Sequence, residues 1–128
     1  MRAIASRWVP VLLCMAIIFA LSAQSSLPHA PADLLDIIVK KLGHALGYAL
    51  LAVVLCRALQ PKGPLKRSRV NIALALALLY AVSDEVHQAL VPGRTPSAVD
   101  VGIDFAGALA GAWSATWERR RRSKQPGA

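Results

Sequence analysis

Residues 70–94 read VNIALALALLYAVSDEVHQALVPGR. The first half of this stretch is apolar apart from Asn71, whereas residues 84–88 hold two acids, a histidine and a glutamine. A charged side chain at the centre of a membrane-spanning helix costs at least about 2.5–3.5 kcal/mol. Ionisable residues in an apolar helix are therefore expected to face the interior of a helix bundle, as a functional site or as an ion-pair network.

Four apolar segments predict four transmembrane helices, since a crossing takes about 20 apolar residues and at least roughly 17. The segments lie at roughly 8–22, 43–59, 70–91 and 99–117, and a basic tail occupies 118–128. The predicted fold class is all-α, a single domain that forms an integral membrane bundle of four transmembrane helices. The first segment is short and follows Arg2 and Arg7, so a cleaved signal peptide is the alternative for it.

The composition supports a membrane protein. The chain has 128 residues, enough for one domain, and 55% of them are hydrophobic. A net charge of +8 would suggest a nucleic-acid partner in a soluble protein. Here the basic residues stand in short blocks between apolar runs, which is typical of topology signals, and no nucleic-acid partner is predicted. Cys14 and Cys56 lie in apolar runs without a Cys-x-x-Cys pair, so neither a disulfide framework nor a thiolate metal site is indicated.

The basic residues also predict an orientation. Twelve of the 15 Lys and Arg residues lie before the first segment, between the second and third, or after the fourth. The other three, Lys40, Lys41 and Arg94, lie on the opposite side. The positive-inside rule therefore predicts that both termini are cytoplasmic, in a multi-pass protein of the cytoplasmic membrane.

With this orientation the polar residues gather at the outer end of the bundle. Tyr80, Asp84 and Gln88 follow one another at a spacing of four and share one helical face. Two further stripes are Lys41, His44 and Tyr48 in the second segment, and Asp100 with Asp104 in the fourth. The second segment also contains Gly43 and Gly47, and the fourth contains Gly107 and Gly111. Pairs of glycines at this spacing permit two helices to approach closely. Both glycine faces are therefore expected to look into the bundle, or to support a homodimer.

This ordered set of residues resembles the VanZ-like family of small bacterial membrane proteins. The residues that carry the resemblance are Ser22-Ala23-Gln24, Lys41-Leu42-Gly43-His44, Tyr48, Tyr80, Asp84-Glu85, Gln88, Pro92-Gly93-Arg94, Asp100, Asp104, Gly107 and Gly111. The sequence departs from the family pattern at Ala45, where an aromatic residue often follows the histidine, and at Asp104, where Asn is as common. The resemblance implies a role at the cell envelope, and the namesake of the family is associated with resistance to the glycopeptide teicoplanin.

The function predicted is an outer-face polar site that binds or modifies an anionic lipid or a lipid-linked cell-wall component. Membrane lipids or such a precursor would be the partner. One alternative is a non-catalytic accessory protein whose polar residues stabilise the helix bundle. The other alternative is a small transporter, which is less favoured because the polar residues gather at one end.

Three residues are the candidates for catalysis. Asp84 or Glu85 would act as a general acid or base with His44 as a partner. Adjacent residues cannot share one helical face, and Asp84 is favoured because it lies in the stripe of Tyr80 and Gln88. The alternative is an ion-pair network that locks the bundle. Ser83 is the only hydroxyl group expected in the cluster, and it lacks a nucleophile motif.

The candidate substrate-binding residues surround these three, and they are Lys41, Tyr48, Gln88, Arg94, Asp100 and Asp104. Arg94 follows a Pro-Gly turn, and its guanidinium suits a phosphate or a carboxylate. A salt bridge from Arg94 to Asp100 is the structural alternative.

The sequence does not predict a cofactor. His44 and His87 with Asp84, Asp100 and Asp104 would make a nitrogen and oxygen donor set suited to zinc or manganese. No tight motif such as His-Glu-x-x-His is present, and hydrogen-bonded histidines are favoured over metal ligands.

Overall fold

The computed structural model describes residues 2–24 and 34–125. Over these ranges the chain forms four helices and no strand, which confirms the all-α prediction. The helices are α1 (Arg2–Ser22), α2 (Leu34–Leu59), α3 (Arg67–Ala89) and α4 (Ala98–Ser123).

Three helices extend well beyond the apolar segments that predict them. α1 begins at Arg2, ahead of the segment that starts near residue 8. α2 begins at Leu34, so Lys40 and Lys41 lie on the helix and not in a loop before it. α4 continues to Ser123 through the basic residues that were expected to form a tail. Glu118 pairs with Arg122 one helical turn further on, and such pairs stabilise helices. The proline-containing stretch 25–36 predicts a surface loop before α2, but its last three residues begin the helix, and the rest of it lies outside the described residues.

Glycines form the two reversals between α2, α3 and α4. Gly63 has a φ of 76° and Gly93 a φ of 80°, in the left-handed region that glycine enters without steric cost. The side chain of Gln60 closes the first reversal by accepting a hydrogen bond of 3.0 Å from the backbone N–H of Lys66. These short turns make α3 antiparallel to both α2 and α4.

α2 lies at the centre of the bundle and contacts all three other helices, most extensively α4. A β-carbon added at Gly107 would collide with the backbone carbonyl of Ala45, and one added at Gly111 with that of Ala49. A step of four residues along α4, from Gly107 to Gly111, matches a step of four residues along α2, from Ala45 to Ala49. α2 and α4 therefore run parallel, with their backbones in close contact. The predicted role of these two glycines is therefore confirmed.

The other glycine pair behaves differently. A β-carbon at Gly47 would come within 3.3 Å of the Ile18 side chain of α1, so this glycine does line a helix contact. A β-carbon at Gly43 would meet nothing within 4 Å, and the expectation that Gly43 packs inside the bundle is wrong. Gly43 shares the helical face of Gly47 but lies one turn nearer the start of α2, and it is exposed there.

The outside of the bundle is apolar. Large hydrophobic side chains such as Leu12, Leu46 and Leu79 are exposed by 62–70%. Within the described residues, three segments are long and apolar enough to cross a membrane: Ala5–Ser22, Ile37–Leu59 and Arg67–Ala89. The chain is therefore a multi-pass membrane protein. α4 is less apolar, and its crossing stays a prediction.

Candidate functional site

Buried polar side chains meet at one end of the bundle, where α1 and α3 end and α2 and α4 begin. Because α1 and α3 run parallel, the last residue of α1 reaches the last turns of α3. We call the group the polar cluster, and its members are Ser22, His44, Tyr48, Asp84, Gln88 and Asp104. All of these except His44 are classed as buried, and His44 is partly exposed.

Asp84 accepts two hydrogen bonds from other members of the polar cluster. It is only 2% exposed, and its Oδ2 atom accepts a hydrogen bond of 2.6 Å from the Ser22 hydroxyl. The same oxygen accepts one of 3.2 Å from the side-chain amide of Gln88, one turn along α3. Asp84 faces into the bundle, as the helical spacing predicts.

His44 lies between two carboxylates from different helices. Its Nδ1 atom is 3.6 Å from Oδ1 of Asp104 and 4.0 Å from Oδ2 of Asp84. The histidine side chain is 18% exposed, whereas each carboxylate side chain is 1% exposed. The imidazole is thus the member of this triad that is most accessible from outside.

Several polar atoms of this region have unused hydrogen-bonding capacity. Among the residues that the structure describes, Oδ1 of Asp84, Oδ2 of Asp104 and the hydroxyl of Tyr48 are buried without a hydrogen-bond partner. Buried polar groups are nearly always paired with protein or with ordered water, so three such atoms near one another call for an explanation. The arrangement can accept protons, water or a cation.

Glu85 contacts a different partner from Asp84. Its Oε2 atom accepts a hydrogen bond of 2.8 Å from the backbone N–H of Ser97, the N-cap residue of α4. The Ser97 hydroxyl in turn accepts a bond of 3.2 Å from the N–H of Val99. Glu85 therefore fixes the start of α4 against α3. Its second oxygen, Oε1, is buried and has no hydrogen-bond partner in the described part of the chain.

Two cationic side chains lie at the rim of the polar cluster. Lys41 forms an ion pair with Asp100, between the first half of α2 and the first turn of α4. Arg94 donates from Nε to the backbone carbonyl of Gln24 at 3.1 Å, and from its terminal nitrogen to Oε1 of Gln88 at 3.4 Å. Asp100 thus pairs with Lys41, whereas Arg94 links the α3–α4 turn to the end of α1.

Two of the sequence-based assignments need adjustment. His87 stacks on Phe19 of α1 with ring centroids 4.2 Å apart, so the nitrogen and oxygen donor set narrows to His44, Asp84 and Asp104. The expectation that Ser83 is the hydroxyl of this region is wrong, because Ser83 is exposed and donates to the backbone of Tyr80. Ser22 supplies the hydroxyl instead, and its place in the Ser-Ala-Gln motif was the available signal.

These features define a multi-pass helical membrane protein with a buried histidine–carboxylate cluster at one end of the bundle. The model of the VanZ/LLP1 family matches residues 7–118, and the chain belongs to this family. Neither a curated protein nor a solved structure matches it.

Proposed function

We propose that the protein binds the anionic headgroup of a membrane lipid or of a lipid-linked cell-wall precursor at the polar cluster. The observation that carries the proposal is the pair of cationic side chains at the rim, Lys41 and Arg94, beside the accessible imidazole of His44. Arginine binds phosphate and carboxylate groups through paired N–H donors, and lysine adds a compact positive charge. Tyr48 and Gln88 supply further polar groups beneath them.

The cluster would face the outer side of the cytoplasmic membrane. Twelve of the 15 basic residues lie on segments at the opposite end of the bundle or beyond it. Positive charge is retained on the cytoplasmic side, so both termini are cytoplasmic in this proposal. An outward-facing site would meet lipids of the outer leaflet, and this location suits a protein of the cell envelope.

The same residues are suited to proton transfer on a bound headgroup. His44 lies within 4.0 Å of both Asp84 and Asp104, so a proton taken up by the imidazole would be stabilised by the two carboxylates. Ser22 and Gln88 fix Asp84 in place. Catalysis would thus use His44 and Asp84. Glu85 would support the site by holding the start of α4 through its hydrogen bond from Ser97.

A non-catalytic accessory role is the second candidate, and a specific observation favours it. Lys41, Glu85 and Arg94 each contact a neighbouring segment of the chain, so part of their interaction energy holds the bundle together. Such a protein would protect the cell surface or support other envelope proteins. A homodimer would need another face than that of Gly107 and Gly111, which α2 covers within one chain.

Membership of the family also supports a link to glycopeptide resistance. We propose that expression of the protein lowers the susceptibility of a bacterial host to teicoplanin. A host strain with a chromosomal deletion and a plasmid-borne wild type or variant gives a direct comparison. An unchanged inhibitory concentration with the wild type expressed in the membrane would remove this part of the proposal.

The headgroup proposal is tested by native mass spectrometry of protein purified in a mild detergent and mixed with phosphatidylglycerol or with a polyprenyl-linked phosphate. The wild type is compared with Arg94→Gln. The matched control is Arg120→Gln, which removes an exposed arginine at the opposite end of the bundle. We expect adducts with the wild type and the control and few with Arg94→Gln.

Equal adducts on the wild type and Arg94→Gln, from proteins of equal thermal stability, would contradict headgroup binding at the rim. The accessory role would then be favoured. The lipid that gives the strongest adduct identifies the substrate class.

A further inference from the structure

We propose that His44, Asp84 and Asp104 bind a divalent metal ion, and that zinc is the metal that this donor set fits best. One donor atom from each residue lies within 4.8 Å of the other two. The three residues come from three different helices, so bundle formation assembles the site. This inference concerns the buried part of the polar cluster and does not depend on headgroup binding at its rim. It is an alternative to proton uptake by His44, because a metal ion on Nδ1 excludes a proton there.

The distances are close to those of a metal centre. Zinc binds imidazole nitrogen and carboxylate oxygen at about 2.0–2.2 Å, so two ligands of one tetrahedral ion lie about 3.4 Å apart. Nδ1 of His44 is 3.6 Å from Oδ1 of Asp104 and 4.0 Å from Oδ2 of Asp84. The two carboxylates lie within 4.8 Å of each other, so side-chain adjustments of up to about 1.4 Å would bring all three donors onto one ion.

The charges of the three residues favour a dication. Asp84 and Asp104 are 2% and 1% exposed, and His44 carries at most one positive charge between them. Lys41 and Arg94 are engaged with Asp100, Gln24 and Gln88 at the rim. Two carboxylates and a neutral imidazole around a dication have no net charge, and a neutral group is far cheaper to keep away from water than an uncompensated one.

A second observation, independent of the acidic residues being close together, points to a ligand. The hydroxyl of Tyr48 is fully buried and without a hydrogen-bond partner among the described residues. Tyr48 lies one turn after His44 on α2, so the two side chains extend from the same face of this helix. A buried hydroxyl in this position is explained by a water molecule or an anion held at the metal ion.

The side chain of Asp84 is held by hydrogen bonds of the kind that orient metal ligands in proteins. Ligating carboxylates are usually held by further hydrogen bonds, and these outer partners orient the ligand. Asp84 accepts two such bonds, from Ser22 and Gln88, at Oδ2, the same oxygen that lies 4.0 Å from Nδ1 of His44. Its Oδ1 atom has no hydrogen-bond partner within the described chain and is the second oxygen that could bind the ion. Zinc sites with three protein ligands keep a fourth position for water or substrate, and a phosphate oxygen is a suitable occupant.

The competing explanation is a proton. A protonated His44 beside Asp104 would account for the same distances without a metal ion. Direct metal titration separates the two explanations. If a proton alone links His44 and Asp104, the protein should not bind Zn²⁺ with a defined stoichiometry.

The test uses the full chain in mild detergent, freed of any polyhistidine tag and treated with a chelator. Isothermal titration calorimetry with Zn²⁺ gives affinity and stoichiometry, and visible absorption with Co²⁺ reports the coordination geometry. The variants are Asp104→Asn and His44→Gln, which keep the side-chain size. The control is His87→Gln, which removes an imidazole at the same end of the bundle that stacks on Phe19.

We expect one Zn²⁺ per chain in the wild type and the control, with a Co²⁺ spectrum of tetrahedral type. Loss of an outer partner alone costs about 10–100-fold in metal affinity, so loss of a ligand should weaken binding by at least about 100-fold. Zn²⁺ should also raise the melting temperature of the wild type and of the control, but not of either variant.

Folded wild-type protein that takes up no Zn²⁺ would overturn the proposal, as would variants that bind Zn²⁺ as tightly as the wild type. If Asp104→Asn fails to fold, His44→Gln and the wild-type titration still decide. If the wild type forms lipid adducts but takes up no Zn²⁺, the headgroup proposal is retained and the metal proposal fails. If it binds Zn²⁺ but forms no lipid adducts, the metal proposal is retained and the headgroup proposal fails.

Discussion

The hydroxyl of Ser22 donates a hydrogen bond of 2.6 Å to Oδ2 of Asp84, although 62 residues separate the two along the chain. Both residues are buried, and the bond joins the end of α1 to the polar cluster on α3. A carboxylate in this position needs donors, because burial without partners is costly. α1 is therefore part of the candidate site as well as a membrane helix.

Replacement of Ser22 by alanine should destabilise the bundle. A hydrogen bond to a charged group contributes about 1.5–3 kcal/mol, and its loss leaves a buried acceptor with one donor fewer. We expect Ser22→Ala to lower the free energy of unfolding, measured in detergent micelles, by about this amount. The matched control is Ser83→Ala, since Ser83 is exposed and its hydroxyl donates to the Tyr80 carbonyl of its own helix. A Ser83→Ala variant as unstable as Ser22→Ala would refute this account.

The same bond predicts that the first helix is retained. Cleavage after Ser22 would remove α1, expose the buried side of α3 and take away the Met15 carbonyl that accepts a 2.7 Å hydrogen bond from Tyr80. We expect the protein from membranes to keep residues 1–22. Intact mass spectrometry measures this directly, and a mature chain that begins near residue 23 would identify the segment as a signal peptide.

Helical spacing predicted which polar residues of one helix lie on the same face. A spacing of four put Asp84 and Gln88 on one face, and in the structure they are bonded to each other. The same rule joined His44 to Tyr48 and Asp100 to Asp104, because helix geometry fixes which residues share a face regardless of neighbours. The ordered set of polar residues also led to the correct family.

The partners between helices could not be read from the sequence, because they depend on rotation and register. Lys41, and not Arg94, pairs with Asp100, since the parallel contact of α2 and α4 brings their first halves together. Gly43 belongs to a glycine pair with the same spacing as that of Gly107, but it lies one turn beyond the helix contact that its partner Gly47 makes. The lengths of α1, α2 and α4 were likewise underestimated from their apolar segments, because charged residues extend all three helices beyond those segments.

The contact of α2 with α4 predicts opposite effects for two similar substitutions. Gly107→Ala would drive a methyl group into the carbonyl of Ala45, and overpacking of this kind costs about 1–3 kcal/mol. Gly102→Ala, on the same helix, meets nothing within 4 Å and should be neutral, or stabilising by up to about 1 kcal/mol through lower backbone entropy. Both are measured as free energies of unfolding in detergent. Equal stability of the two variants would show that the backbones are not in contact.

Glu85 should be more important for stability than for function. Its hydrogen bond to the N–H of Ser97 resembles a helix cap, and removal of a cap costs about 0.5–2 kcal/mol. We expect Glu85→Ala to lose stability in this range, while Glu85→Gln keeps an acceptor oxygen and loses less. Thermal unfolding and the lipid adducts of both variants are the measurements. If Glu85→Gln were fully stable but failed to support lipid binding or resistance, Glu85 would belong with Asp84 as a functional residue.

The proposed orientation predicts which turn is accessible from outside the cell. The turn between α3 and α4 contains exposed Thr95, beside the polar cluster, and the turn between α2 and α3 contains exposed Lys62. Cys14 and Cys56 are buried, so a membrane-impermeant maleimide should react slowly with the native chain. In intact cells, or spheroplasts where an outer membrane is present, we expect Thr95→Cys to be labelled at once and Lys62→Cys only after the membrane is opened, because the basic α2–α3 turn is held in the cytoplasm. The opposite labelling pattern would put the polar cluster on the cytoplasmic side, and a headgroup bound there would have to come from the inner leaflet.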